Sequence, residues 1–155
     1  MIRNETDYQE AIRRLAQDRD VASRQRAVLQ AQGFSADDVE RGMEPLLSFQ
    51  QQLAEEVAWY ENVRRGNIPT IRRLTDMGRL LIALRIASGF SQRQLAEKLN
   101  VTEAVVSRDE RNEYHGISVE RAQRILDALG VTTATSVDEL VIHREPVPEG
   151  LLVPA

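Results

Sequence analysis

The stretch that decides the fold of this chain is SQRQLAEKLNVTEAVVSRDERN, residues 91–112. It predicts two short helices, Gln92 to Leu99 and Glu103 to about Arg111, separated by only three residues. Ser91 can cap the first helix, with Gln94 completing a capping box, and Thr102 can cap the second. A connection this short forces a sharp turn, so the second helix must project across the first.

The two predicted helices each have an inward face. Leu95, Leu99 and Val106 form an apolar stripe, and Ala96 is small where the helices must approach closely. The outward face of the second helix carries a mixture of short, polar and cationic side chains that suits contact with base edges and phosphates. These outward residues are Glu103, Ala104, Ser107, Arg108 and Arg111.

The order and spacing of these residues resemble the helix-turn-helix of the Xre/Cro/C1 family of transcription regulators. The resemblance extends from Met77 to Val131 and rests on the Ser-Gln-x-x-Leu-Ala run, the Val-Thr turn, and the Ser-Arg pair with Glu110 behind it. It implies a lambda-repressor-like domain of five helices. In this family the first residue of the second helix, here Gln92, binds a DNA phosphate.

The resemblance also implies roles for individual residues. An ion pair joins Arg85, late in the preceding helix, to Glu110. Family members often follow that glutamate with Asn-Gly or Arg-Gly, whereas this chain has the longer run from Arg111 to Gly116, which leaves the backbone contacts of the loop open. The predicted DNA-binding residues are Gln92, Arg93, Thr102, Glu103, Ala104, Ser107, Arg108, Arg111 and Asn112.

Glu103 is an acid at a position predicted to face DNA. Phosphate repels its charge, yet a carboxylate can accept a hydrogen bond from cytosine N4. An acid also stabilises the positive end of a helix dipole. The sequence leaves open whether Glu103 determines specificity or only begins the helix.

The net charge of −4 is unusual for a DNA-binding protein, but its distribution is uneven. The segment from Arg64 to Arg124 holds 12 Arg or Lys and 7 acids, whereas the rest of the chain holds 8 and 17. A basic centre between acidic ends favours a protein in which one part contacts phosphate and another contacts something else. Ordinary solvated surface charge is the alternative explanation.

Other classes of protein are disfavoured by composition. The chain has no cysteine, and His115 and His143 are its only histidines, neither near a candidate nucleophile or in a metal-ligand spacing. No apolar run approaches the roughly 20 residues that span a bilayer. We therefore expect a cytoplasmic protein that is not an enzyme and uses neither a metal nor another cofactor.

The first 66 residues predict an acidic helical hairpin. Thr6 and Ser35 can begin its two helices, and Gly33 can join them. Pro45 cannot donate to the helical ladder, so the straight part of the second helix is expected to start near it. Two helices have too small a core to be stable alone, so the hairpin must pack on a second copy, on the rest of the chain or on another protein.

Three regions follow from these patterns: the hairpin (1–66), the DNA-binding domain (67–143) and a flexible proline-rich tail (144–155). The helices of the DNA-binding domain are predicted at Ile71–Ala87, 92–99, 103–111 and Val119–Leu129, with a short fifth helix after Ser136.

Two functions are compatible with this organisation. The first is a repressor that binds a pseudo-palindromic operator as a homodimer, with the hairpin used for dimerisation. The second is an antitoxin that binds a toxin protein and represses its own operon, because an acidic helical region ahead of an Xre-type domain is similar to the HigA type of antitoxin. Operator DNA is the expected ligand in both.

Overall fold

The computed structural model describes residues 1–137, and this part of the chain consists of helices without any strand. The all-α prediction is therefore confirmed. No helix within these residues combines the length and the apolar character needed to cross a membrane. The helices are α1 (Glu5–Ala31), α2 (Ala36–Arg64), α3 (Met77–Ala87), α4 (Gln92–Leu99), α5 (Glu103–Arg111) and α6 (Val119–Leu129).

Helices α1 and α2 form the predicted hairpin, with Gly33 at a φ of +84° in the connection. Asn4, not Thr6, caps α1, because its extended backbone lets Oδ1 accept from the amide of the third residue on, at 2.8 Å. Ser35 caps α2 as expected. The helix includes Pro45, and a straight part starting near that residue stays a prediction.

The hairpin contributes to two separate apolar clusters. Its distal end, next to Gly33, holds a small cluster of Ala22, Val39 and Met43. Its proximal end is formed by the start of α1 and the end of α2. There Leu15 and Val63 belong to the same cluster as the buried residues of α3 and α6. The predicted division after residue 66 thus lies between two segments that share one core, and it stays a prediction.

Helix α3 begins later than the sequence pattern indicates. A 3-10 turn at Leu74–Asp76 precedes it, and the residue before that turn is extended, so the predicted start at Ile71 is wrong. No side chain caps α3. Its first turn is instead packed tightly against the loop that follows α5. The predicted fifth helix after Ser136 and the tail at 144–155 lie outside the described residues.

Candidate nucleic-acid interface

The turn between α4 and α5 is determined by capping at its two ends. Ser91 and Gln94 exchange the two hydrogen bonds of a capping box, at 2.9 and 3.1 Å, as predicted. Asn100 ends α4 in the left-handed region at a φ of 55°, and the amide of Val101 donates back into α4 at 3.0 Å. Thr102 is the N-cap residue of α5, as predicted, and has an extended backbone, but its side chain makes no capping hydrogen bond. Its hydroxyl lies exposed at the start of α5.

Helix α5 has one buried face and one open face. Val106 and Glu110 point into the core and are 1% and 0% exposed. Most of the predicted DNA-binding residues lie in the open, while Gln92 and Ser107 are half-buried. The exposed ones are Arg93, Thr102, Glu103, Ala104, Arg108, Arg111 and Asn112. The structure thus brings the whole predicted set to the exposed side of α4 and α5, where contact with DNA remains a prediction.

Arg85 and Glu110 lie against each other beneath this surface. The Arg85 Nη2 donates to Glu110 Oε2 at 2.7 Å and its Nε donates to Oε1, with side-chain exposures of 3% and 0%. Two parallel bonds of this kind orient both groups. Because a lone buried charge is strongly destabilising, each residue requires the other. The pair therefore ties the end of α5 to the middle of the core.

The first residue of α4 belongs to the same network. Gln92 Nε2 donates to Glu110 Oε2 at 2.7 Å, so its side-chain amide is already engaged. A phosphate contact by Gln92 would have to share or replace that bond, or use the free backbone amides at the start of α4. Among residues 1–137, Arg93 pairs with Glu97, one turn on, and its side chain is 75% exposed. Such a surface pair is weak and readily exchanges for phosphate.

The loop after α5 has a compact backbone conformation and packs closely on α3. Glu113 and Tyr114 both adopt left-handed conformations, and the Tyr114 amide donates to the Asp109 carbonyl at 2.7 Å. The loop rests on α3, where a Cβ on Gly78 would lie 1.7 Å from the Glu113 carbonyl oxygen. Only glycine fits there. A helix-interior glycine is the one sequence signal that could have revealed this contact.

The side chain of Tyr114 lies within this loop. Burial raises the pKa of its hydroxyl well above the ordinary value, and the nearby Glu110 carboxylate adds to the shift. Tyr114 is therefore neutral at physiological pH. His115 and Asn112 are exposed on the outside of the same loop.

A second ion pair connects α5 to α6. Arg121 near the start of α6 contacts the carboxylate of Asp109, with side chains 40% and 21% exposed. Asp109 and Glu110 are adjacent in sequence but point to α6 and to α3 respectively, so they act as two anchors and not as a carboxylate pair. This agrees with the directions of neighbouring side chains on a helix.

The N-terminal segment also reaches this site, which the sequence did not predict. The carbonyl oxygen of Arg3 accepts a hydrogen bond from Arg85 Nη2 at 2.9 Å, and Ile2 is 4% exposed in the shared core. No local pattern identifies a backbone carbonyl as a partner for a residue 82 positions away.

Residues 81–135 match the family model described as a helix-turn-helix. This segment is an Xre/Cro/C1-type helix-turn-helix domain. The match contains the whole of α4, α5 and α6 and most of α3, and it leaves the hairpin outside. No curated protein and no solved structure is significantly similar to the chain. A helix-turn-helix of this type supports a role in DNA binding and transcription regulation.

Proposed function

We propose that the chain is a repressor that binds a pseudo-palindromic operator as a homodimer. The observation that carries this proposal is the open face of α5, which is held in place from behind by Glu110 and Asp109. A helix of this kind fits the major groove, and two copies related by a two-fold axis fit successive major grooves.

Base recognition is assigned to Arg108 above the other residues of α5. Its long cationic side chain lies exposed on the same face as Glu103 and Ala104. An arginine fork can donate two bonds to O6 and N7 of guanine. The short Ala104 leaves room for close approach to a base, and Glu103 can accept from cytosine.

Phosphate contacts are assigned to residues at the two ends of the helix-turn-helix. Arg93 lies in the first turn of α4, and Arg111 and Asn112 lie where α5 ends. Contacts with phosphate fix the register of the protein without reading sequence. They also make affinity depend strongly on salt, so all titrations below share one salt concentration.

Dimerisation is assigned to the distal end of the hairpin. Val21 and Val28 are seven residues apart, so they lie on one face of α1, where they are 47% and 50% exposed. Phe34 at the tip is 52% exposed. The small distal cluster cannot cover these side chains, and a second copy of the hairpin can. The antitoxin alternative rests on the same surface, with a toxin protein in place of the second copy.

The first experiment tests base recognition. Duplexes selected from a random library by the full chain are titrated with wild type and with Arg108→Ala. The substitution is expected to cost about 1–3 kcal/mol on the selected duplex and little on random DNA. Arg124→Ala removes an exposed arginine from α6 and serves as the matched control for lost charge. An equal loss on both duplexes would show that Arg108 contacts phosphate only, and failure of the wild type to select any sequence would refute the proposal.

The second experiment tests dimerisation. Light scattering should give a dimer for the wild type and a monomer for Val28→Asp, because a carboxylate cannot be buried unpaired between two hairpins. The monomer should bind the selected duplex orders of magnitude more weakly but keep the same half-site preference. Ser23→Asp, an exposed change on the opposite side of α1 from Val21 and Val28, should remain dimeric. A monomeric wild type would reject the homodimer and leave the hairpin to a protein partner.

A further inference from the structure

The segment that precedes α1 is packed into the DNA-binding domain. Ile2 is 4% exposed and belongs to the same apolar cluster as Leu81, Leu95 and Ile125. Asn4 follows as the cap of α1. Burial on one side and the helix cap on the other therefore fix the backbone of Arg3 between them.

The Arg3 carbonyl completes the coordination of the Arg85 guanidinium. Three acceptors surround that group: the Glu110 carboxylate, the Phe90 carbonyl at 2.7 Å from Nη1, and the Arg3 carbonyl at 2.9 Å from Nη2. A guanidinium is planar and rigid, so acceptors on different sides of it determine its orientation. The acceptor supplied by Arg3 is the only one of the three that comes from outside the helix-turn-helix match.

A hydrogen-bond network continues from Arg85 to both helices of the helix-turn-helix. Glu110 stands at the end of α5, and its Oε2 also accepts from Gln92 at the start of α4, at 2.7 Å. Arg3, Arg85, Glu110 and Gln92 thus form a continuous chain of contacts. Side chains that recognise a ligand are effective only when their supporting contacts hold them within about 0.5 Å of the geometry that binds it.

We infer that Ile2 and Arg3 are positioning residues for the recognition helix: they orient Arg85, and through Glu110 they set the position of α5 and of Gln92. This inference rests on the proposed base-reading role of α5. When the segment is displaced, Arg85 Nη2 loses an acceptor and water gains access to the ion pair. The end of α5 then loses a fixed orientation, and selection among DNA sequences falls more than general affinity does.

The hairpin is coupled to this network at its proximal end. Tyr8 Oη donates to Glu61 at 2.8 Å, and the two rings of Tyr8 and Tyr60 stack at 5.2 Å between centroids. Glu5 and Arg64 form an ion pair at 2.8 Å. These contacts bind the start of α1 to the end of α2, so a change in the hairpin that moves α1 also moves Arg3.

The test compares two truncations of the same cluster in the full chain. Ile2→Ala loosens the segment that holds Arg3, and Leu15→Ala removes apolar volume from α1 at a site outside the Arg85 network. One readout is the NMR signal of the Arg85 Nε–H and its rate of exchange with solvent. The other is the ratio of affinities for the selected duplex and for random DNA at fixed salt.

Both variants should lower the melting temperature, but only Ile2→Ala should shift the Arg85 signal and speed its exchange. We expect the affinity ratio to fall about 10-fold for Ile2→Ala and to stay within about twofold for Leu15→Ala. Ile2→Val, which keeps most of the buried volume, should change both readouts in the same direction but by less. If Ile2→Ala does not fold, the comparison is made between Ile2→Val and wild type, with smaller changes in the same direction.

An unchanged Arg85 signal in the Ile2 variants, or an equal effect of Leu15→Ala on the affinity ratio, would overturn the inference. If the wild type prefers no DNA sequence, the proposed function fails. The Arg85 signal then still decides whether Ile2 and Arg3 position the ion pair.

Discussion

The two ends of the hairpin contain the same two helices in different surroundings. At the proximal end, Val57, Tyr60 and Val63 lie in the core of the DNA-binding domain. At the distal end only Ala22, Val39 and Met43 are buried, and larger apolar side chains such as Val28 and Phe34 remain exposed. The same helical pair is therefore part of the main core at its proximal end, whereas its distal end has only a small core of its own. The hairpin and the segment from α3 to α6 share one apolar core at the proximal end.

The largest expected effect lies in the shared core, at Glu110. Glu110→Ala leaves the Arg85 guanidinium buried without its carboxylate, which should cost about 3–5 kcal/mol of unfolding free energy. Adding Arg85→Met should recover part of this loss, because the uncompensated charge is removed. Urea denaturation of the wild type, both single variants and the double variant measures the coupling. Additive losses would show that the pair does not hold α5 to α3.

The second effect contrasts one glycine from each region. Gly78→Ala should destabilise by about 3 kcal/mol or more, since the new Cβ would meet the Glu113 carbonyl oxygen and the backbone must move. Gly42→Ala in the distal half of α2 should instead stabilise by about 0.5–1 kcal/mol, because its Cβ would be 3.6 Å from Leu29 and alanine favours a helix. Thermal unfolding of the two variants gives the sign of each change. Equal signs would contradict the close packing of α3 on the loop.

The last prediction compares one buried valine from each end of the hairpin. Val63→Ala and Val39→Ala remove the same two methyl groups from sites that are 1% and 2% exposed, and each should cost about 2 kcal/mol. The two variants should differ in which helices show faster backbone hydrogen exchange. Val39→Ala should speed exchange only in the distal hairpin, and Val63→Ala should speed it in α3 and α6 as well. Faster exchange in α6 for Val39→Ala would show that the two clusters unfold together.

The sequence predicted the helix-turn-helix well because its signals are local. The capping box at Ser91, the start of α6 at Val119 and the end of α2 near Gly66 all depend on residues within one or two turns of each other. The set of exposed residues on α5 followed from helical periodicity alone. Helices α4 and α5 were predicted to begin and end where the structure has them.

The parts that were missed depend on contacts between distant residues. The start of α3 is associated with a backbone approach at Gly78, and Arg3 contributes a carbonyl and not its side chain. On α1, Ala11 is buried while the larger Ile12 beside it is 38% exposed. The engagement of Gln92 by Glu110 was missed because it too joins residues that are distant in sequence.

Pro45 lies in α2 between the distal cluster and the proximal one. Since proline has no N–H, the Arg41 carbonyl lacks its usual donor one turn ahead, and the helix is weakest there. Opening of the distal end can therefore stop at Pro45 and leave the DNA-binding core intact. We therefore expect the tip of the hairpin to open as a separate cooperative unit while the rest of the molecule keeps its fold.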